Sequence, residues 1–169
     1  MAGELFPVAG CKLYIGAALA PDKEDMVAAD FTTALAGAVE IDGWSSMGAV
    51  GDNAALITTA LINRGRDVKQ KGTANAGSMA NVFAAIDDDP GQIALIAAAQ
   101  ASNRNNYAFR MVMNDTPATG TSPTPSERLF VGLVMSAQEA GGDANTIRNL
   151  NATIEINSNI VTVPASTGA

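Results

Sequence analysis

Two long stretches near the C-terminal end, Glu127 to Ala140 and Thr146 to Asn157, are separated by Gly141-Gly142-Asp143. In the second, Leu150, Ala152, Ile154 and Ile156 alternate with Asn149, Asn151, Thr153 and Glu155. A period of two places the apolar set on one face of an extended strand, and a glycine-rich turn returns the chain antiparallel. Such a ribbon demands a sheet with one buried face. Tyr107 to Met113 repeats the alternation, with Tyr107, Phe109, Met111 and Met113 set against Ala108, Arg110 and Val112. Cys11 to Leu19 does the same: Cys11, Leu13 and Ile15 share a face opposite Lys12 and Tyr14, which makes Cys11 a small buried hydrophobe.

Between these strands the pattern predicts further short elements. Residues 1–10 read as an N-terminal arm, followed after the first strand by a charged turn at Pro21 to Asp25. Met26 to Ala38 has Val27, Phe31 and Leu35 at helical spacing, although Thr32-Thr33 weakens a helix. Val39 to Trp44 reads as a strand, 45–55 as a flexible loop, and Leu56 to Ile62 with Arg66 to Lys71 as a hairpin around Asn63-Arg64-Gly65. Gly72 to Gly77 is expected to turn, and Ser78 to Ile86 to pair again. The clearest helix spans 89–102: Asp89 is its N-cap, Pro90 its first residue, Gln92 has capping-box spacing, and Ile93, Ile96, Ala97 and Gln100 define one side. The stretch 114–126, with three prolines, is an exposed flexible excursion, and 164–169 is a C-terminal tail. The expectation is a mainly β, α+β chain: one domain over 11–163, an antiparallel β-sandwich or barrel with one flanking helix.

The core available to it is thin. Leu, Ile, Val and Phe number 37 of 169 residues, while 32 others are Ala. A neighbouring chain supplies burial that one such chain cannot. The net charge of −7 opposes a role in gripping nucleic acid, whose binding rests on cations neutralising phosphates. The chain contains no His, which removes Ser-His-Asp and Cys-His chemistry and the commonest transition-metal ligand. One cysteine cannot close an intrachain disulfide. Met1 to Leu19 lacks the pattern of a signal peptide, and no apolar run reaches the length of a membrane span.

Few residues stand out as site candidates. Asp87-Asp88-Asp89 lacks the spaced oxygens of a calcium loop and reads as a helix N-terminus. Gly48-Ala49-Val50-Gly51 lacks the remaining residues of a nucleotide fingerprint and is a flexible turn. No nucleophile has a visible base, so no catalytic, cofactor-binding or metal site is expected, and the chain is not read as an enzyme. Arg64, Arg66, Lys69 and Lys71 form the one basic cluster; they are either a solvated hairpin tip, a contact onto an acidic face of another subunit, or a weak nucleic-acid patch. Trp44 is either a core anchor or, with Met47, an anchor for assembly.

Taken in order, these elements resemble the major tail tube protein of long-tailed, non-contractile phages. The likeness is carried by Lys71-Gly72-Thr73-Ala74-Asn75-Ala76-Gly77-Ser78, by Asp88-Asp89-Pro90-Gly91-Gln92-Ile93-Ala94-Leu95, and by Arg128 to Ser136 with Thr153-Ile154-Glu155-Ile156-Asn157. It covers 43–163; the first forty residues match less well, and the loop at 114–126 is a local elaboration. The resemblance implies a virion structural subunit, assembled in the host cytoplasm, that forms hexameric rings stacked into a tube. Its implied partners are itself, a tape-measure protein and tail-terminator or tip proteins, with DNA passing transiently. Tube proteins of contractile and type VI secretion-like systems share that fold. A monomeric ligand-binding β-module is the competing reading, and it requires an exposed aromatic cluster from a total of eight aromatics.

Overall fold

The computed structural model describes residues 4–168. Its strands are β1 (Lys12–Ala18), β2 (Val39–Glu40), β3 (Trp44–Ser46), β4 (Asn53–Thr59), β5 (Val68–Asn75), β6 (Ser78–Ala84), β7 (Tyr107–Val112), β8 (Glu127–Ala140), β9 (Asn149–Ile156) and β10 (Val161–Val163). Two helices accompany them: α1 (Thr32–Leu35), entered through a 3-10 turn at Ala28–Phe31, and α2 (Pro90–Ala98). One sheet runs in the order β2-β1-β7-β8-β9-β6-β3, with β10 added beside β8. It is antiparallel throughout and curls into a half-barrel. Of the sandwich and barrel that alternation allowed, the curled single sheet forms.

The alternating strands bury most of the residues their pattern selected, while Cys11, expected as a buried hydrophobe, Tyr107 and Met113 are only half-buried because they stand at or beyond the strand ends. Leu13, Ile15, Phe109, Met111, Leu150, Ala152, Ile154 and Ile156 all lie in one cluster with Phe83 and Phe130. Phe109 and Phe130 stack at 5.4 Å between centroids. A second cluster covers the other side of β7 and β8, where Ala108, Leu129 and Val131 meet Met26, Phe31 and Ala34. Those two strands are therefore buried on both faces, which is why Leu129 to Gly132 is apolar without interruption. Val27 does not join its expected partners: it caps the 3-10 turn and is exposed, leaving Phe31 and Ala34 to pack inward.

The helix α2 corrects three expectations. Its buried residues are Gly91, Gln92, Leu95 and Ala98, while Ile93 and Ile96 face outward. A Cβ at position 91 would collide with the Glu40 carbonyl oxygen, so the helix approaches the β2–β3 link closely enough to require glycine. Asp89 caps as expected, accepting from the Gln92 N–H at 2.7 Å. The Gln92 side chain does not return to the cap. Its Oε1 accepts from the Ile86 N–H at 3.1 Å, and its Nε2 donates to the carbonyls of Asp42 at 2.9 Å and Ala84 at 2.8 Å. The helix also stops at Ala98, before Ser102.

The segment expected as one strand at 39–44 is divided between opposite sheet edges, β2 and β3, by Gly43 at φ 75°. The expected loop at 45–55 holds the end of β3 and the start of β4, and the expected turn at 72–77 is mostly β5. Pairing of Asn53 with Asn75 and Ala54 with Ala74 extends the ribbon through both. At the described termini, 4–10 is exposed and held by the Asn114 amide donating to the Ala9 carbonyl at 2.6 Å; the first residues of the expected arm lie outside the described part. The excursion at 114–126 is exposed over 118–124 but anchored at both ends, where Asp115 is half-buried and Ser126 buried, and its backbone is clasped: Thr124 and Ser166 exchange hydrogen bonds at 2.8 and 3.0 Å.

Candidate assembly surface

The ribbon β4–β5 stands outside the main sheet, and its two strands pack chiefly on one another. Of its strand residues only Ala54, Val68 and Gly72 are half-buried; the rest are exposed. This explains why its sequence shows no clean alternation, since neither face has a core to meet. Four large apolar side chains stand in solvent here: Leu56 is 67% exposed, Ile57 46%, Leu61 39%, and Ile62 fully. An isolated two-stranded ribbon is marginal in water, and this concentration of exposed apolar side chains makes it a candidate interaction surface.

All four cations of the basic cluster belong to this ribbon. Lys69 and Lys71 are on β5, with Arg64 and Arg66 in the connection, and none makes an ion pair among the described residues. Four cations and one acid, Asp67, give residues 53–75 a charge of +3; the remaining six cations and sixteen acids leave −10 elsewhere. The chain is strongly bipolar. An open groove of about 690 Å3 runs along the ribbon, lined by Ala54, Ala55, Leu56 and Gly72 together with Lys69 and Lys71.

Trp44 and Met47 lie apart from these cations, half-buried against the main core at the β3 edge. The indole stacks on Phe83 at 6.4 Å and donates from Nε1 to the Asn81 Oδ1 at 3.1 Å. The same oxygen accepts from the Gly48 N–H at 3.0 Å, which fixes the loop that leads to the ribbon. Cys11 is half-buried just before β1.

On the body, ion pairs join Lys12 to Glu40 at 3.0 Å, Lys23 to Asp30, and Arg148 to both Asp87 at 2.9 Å and Glu139 at 3.6 Å. The Lys23 ammonium and the Val27 N–H hold the Asp30 carboxyl below its ordinary range. Burial works to raise the Asp115 carboxyl, but hydrogen bonds from the Ser126 hydroxyl and N–H, at 2.6 and 2.7 Å, outweigh it and hold the group low. Among the described residues no group of three His, Cys, Asp or Glu side chains converges as a metal site. The acidic run at 87–89 divides its roles: Asp89 caps α2, Asp87 pairs with Arg148, and Asp88 is exposed.

No family model and no curated protein sequence matches this chain. Solved structures do. A chain of the anti-feeding prophage baseplate, six-fold symmetrised, superposes with a TM-score of 0.68 at 8% identity, over 97% of this chain and 98% of that one. The sheath/tube terminator of an extracellular contractile injection system in its extended state gives 0.65 at 13% identity, over 96% and 99%. The SPP1 tail tube gives 0.63 at 12% identity, over 94% of this chain and 80% of that one. At such identities the likeness is one of fold, and this chain has the fold that these tube, terminator and baseplate proteins share.

Proposed function

We propose that this protein is a structural subunit that self-assembles into a tube, built from stacked hexameric rings. The observation that carries the reading is the ribbon β4–β5, which exposes Leu56, Ile57, Leu61 and Ile62 and finds no cover among the described residues. A positive arm on a negative body makes another copy the natural cover, because the contact is attractive and heterologous and therefore repeats. Arg64, Arg66, Lys69 and Lys71 act in that contact, and Trp44 and Met47 at the β3 edge serve the lateral one. The similarity in fold to tube, terminator and baseplate chains supports this reading. In a phage tail, such a tube encloses a tape-measure protein, ends on terminator and tip proteins, and passes DNA that its acidic body does not grip. The tube of a contractile injection system is the second reading, favoured by the terminator and baseplate superpositions.

Sedimentation and negative-stain microscopy over a concentration series test the proposal. Hollow rings and tubes are expected without added cofactor, with a ring mass of six subunits. A protein that stays monomeric at every concentration overturns it.

A further inference from the structure

The tube reading leaves open where the arm docks, and the inference here rests on that reading. We propose that the outward face of α2 receives the β4–β5 ribbon of a second copy. Ile93 is 53% exposed and Ile96 41%, an unusual outward placement for two isoleucines on a helix whose buried side is made of Gly91, Gln92, Leu95 and Ala98. Both isoleucines line a hollow of about 190 Å3 with Asp87 and Glu139. Arg148 bridges those two acids and leaves Asp88 beside them without an ion pair among the described residues. The face is thus apolar and net acidic, the complement of an arm that is apolar and net basic.

Position agrees with chemistry. The ribbon joins the body at the Ser78 and Ile156 end of the paired strands β6 and β9, where residues 73–76 and 156–159 line one cavity. The hollow lies at the opposite end of the same pair, beside Ala85 and Leu150. Seven residues of strand separate them, about 20 Å. Arm at one end and receptor at the other give a heterologous, head-to-tail contact, which repeats from copy to copy instead of pairing two copies off and is suited to growth along an axis.

A charge-swap series in the full chain tests the docking, read as the concentration at which protein begins to pellet. Arg64→Glu with Arg66→Glu, and separately Asp87→Lys with Asp88→Lys, should each raise that concentration about tenfold or more. The four substitutions combined should return it to within about threefold of wild type, because opposite charges again face each other. A disulfide between Ile62→Cys and Ile93→Cys, made in a Cys11→Ser background, should link successive copies into a ladder. If the arm variant fails while the Asp87/Asp88 variant pellets like wild type, the receptor assignment is overturned and the tube reading stands. If Asp22→Lys with Glu24→Lys blocks assembly instead, the receptor is the acidic turn at the arm's own end, and the assignment falls again. A wild-type protein that never assembles removes both.

Discussion

Replacing Leu56 and Ile62 together by Ser should abolish assembly at ordinary concentrations and leave the isolated fold intact. Ile62 is fully exposed in the subunit and Leu56 is 67% exposed, so nearly all of their transfer free energy is still available to an interface. Full burial of such a side chain contributes about 1.5–3 kcal/mol, and two-thirds of that for Leu56 brings the pair to about 2.5–5 kcal/mol per docked arm. At about 1.4 kcal/mol for each factor of ten, the pelleting threshold should rise by about two to three and a half orders of magnitude. Exposed positions change folding stability by about 0.5 kcal/mol at most, so the melting temperature of the subunit should move by about 2 °C or less. Single-tryptophan fluorescence is a suitable probe of that melt, since Trp44 stacks on Phe83 inside the fold. The reasoning is refuted by an unchanged threshold, or by a melting temperature that falls as steeply as assembly does.

Two further outcomes follow from the body of the fold. Gln92→Leu leaves the Ile86 N–H and the Asp42 and Ala84 carbonyls without their buried partner, which should cost about 2–4 kcal/mol in urea denaturation; retained stability would show that water replaces the side chain. Asp115 is held below its ordinary range in the folded state, so its stabilising effect is complete above about pH 4, the unfolded value, and is lost as pH falls through the folded one. Amide exchange at Ser126 should therefore stay protected from neutral pH down to about pH 4, and fastest opening should appear below it. Protection that is independent of pH would contradict the pairing.

The parts of the fold legible in the sequence are those with one packed face. In β9 the buried residues fall at alternate positions because the half-barrel interior lies on one side, and Leu150, Ala152, Ile154 and Ile156 occupy it; β7 keeps Phe109 and Met111 on that side and turns Ala108 into the second cluster. The ribbon β4–β5 was only half legible, since side chains with nothing to pack against carry no periodic signal and the strand ends are set by backbone pairing at Asn53 and Asn75. The orientation of α2 was hidden for a different reason. Apart from Leu95, its buried face is made of small and polar residues, with Gly91 fitted against the Glu40 carbonyl and Gln92 tied to three backbone groups, so apolar spacing alone marks the isoleucines as the inside. The acidic, apolar face carrying Ile93 and Ile96 was missed with it. The basic cluster is visible in the sequence as charge alone; that none of its cations is ion-paired among the described residues needs the structure.

Hydrogen exchange compared between the free protein and the assembled particle shows whether assembly covers the β4–β5 ribbon. Residues 53–75 should exchange quickly in the free subunit, as expected of a two-stranded ribbon without a core, and become strongly protected once tubes form. Strands β8 and β9 should be protected in both states. Tubes that form while the ribbon exchanges as fast as before would contradict the account.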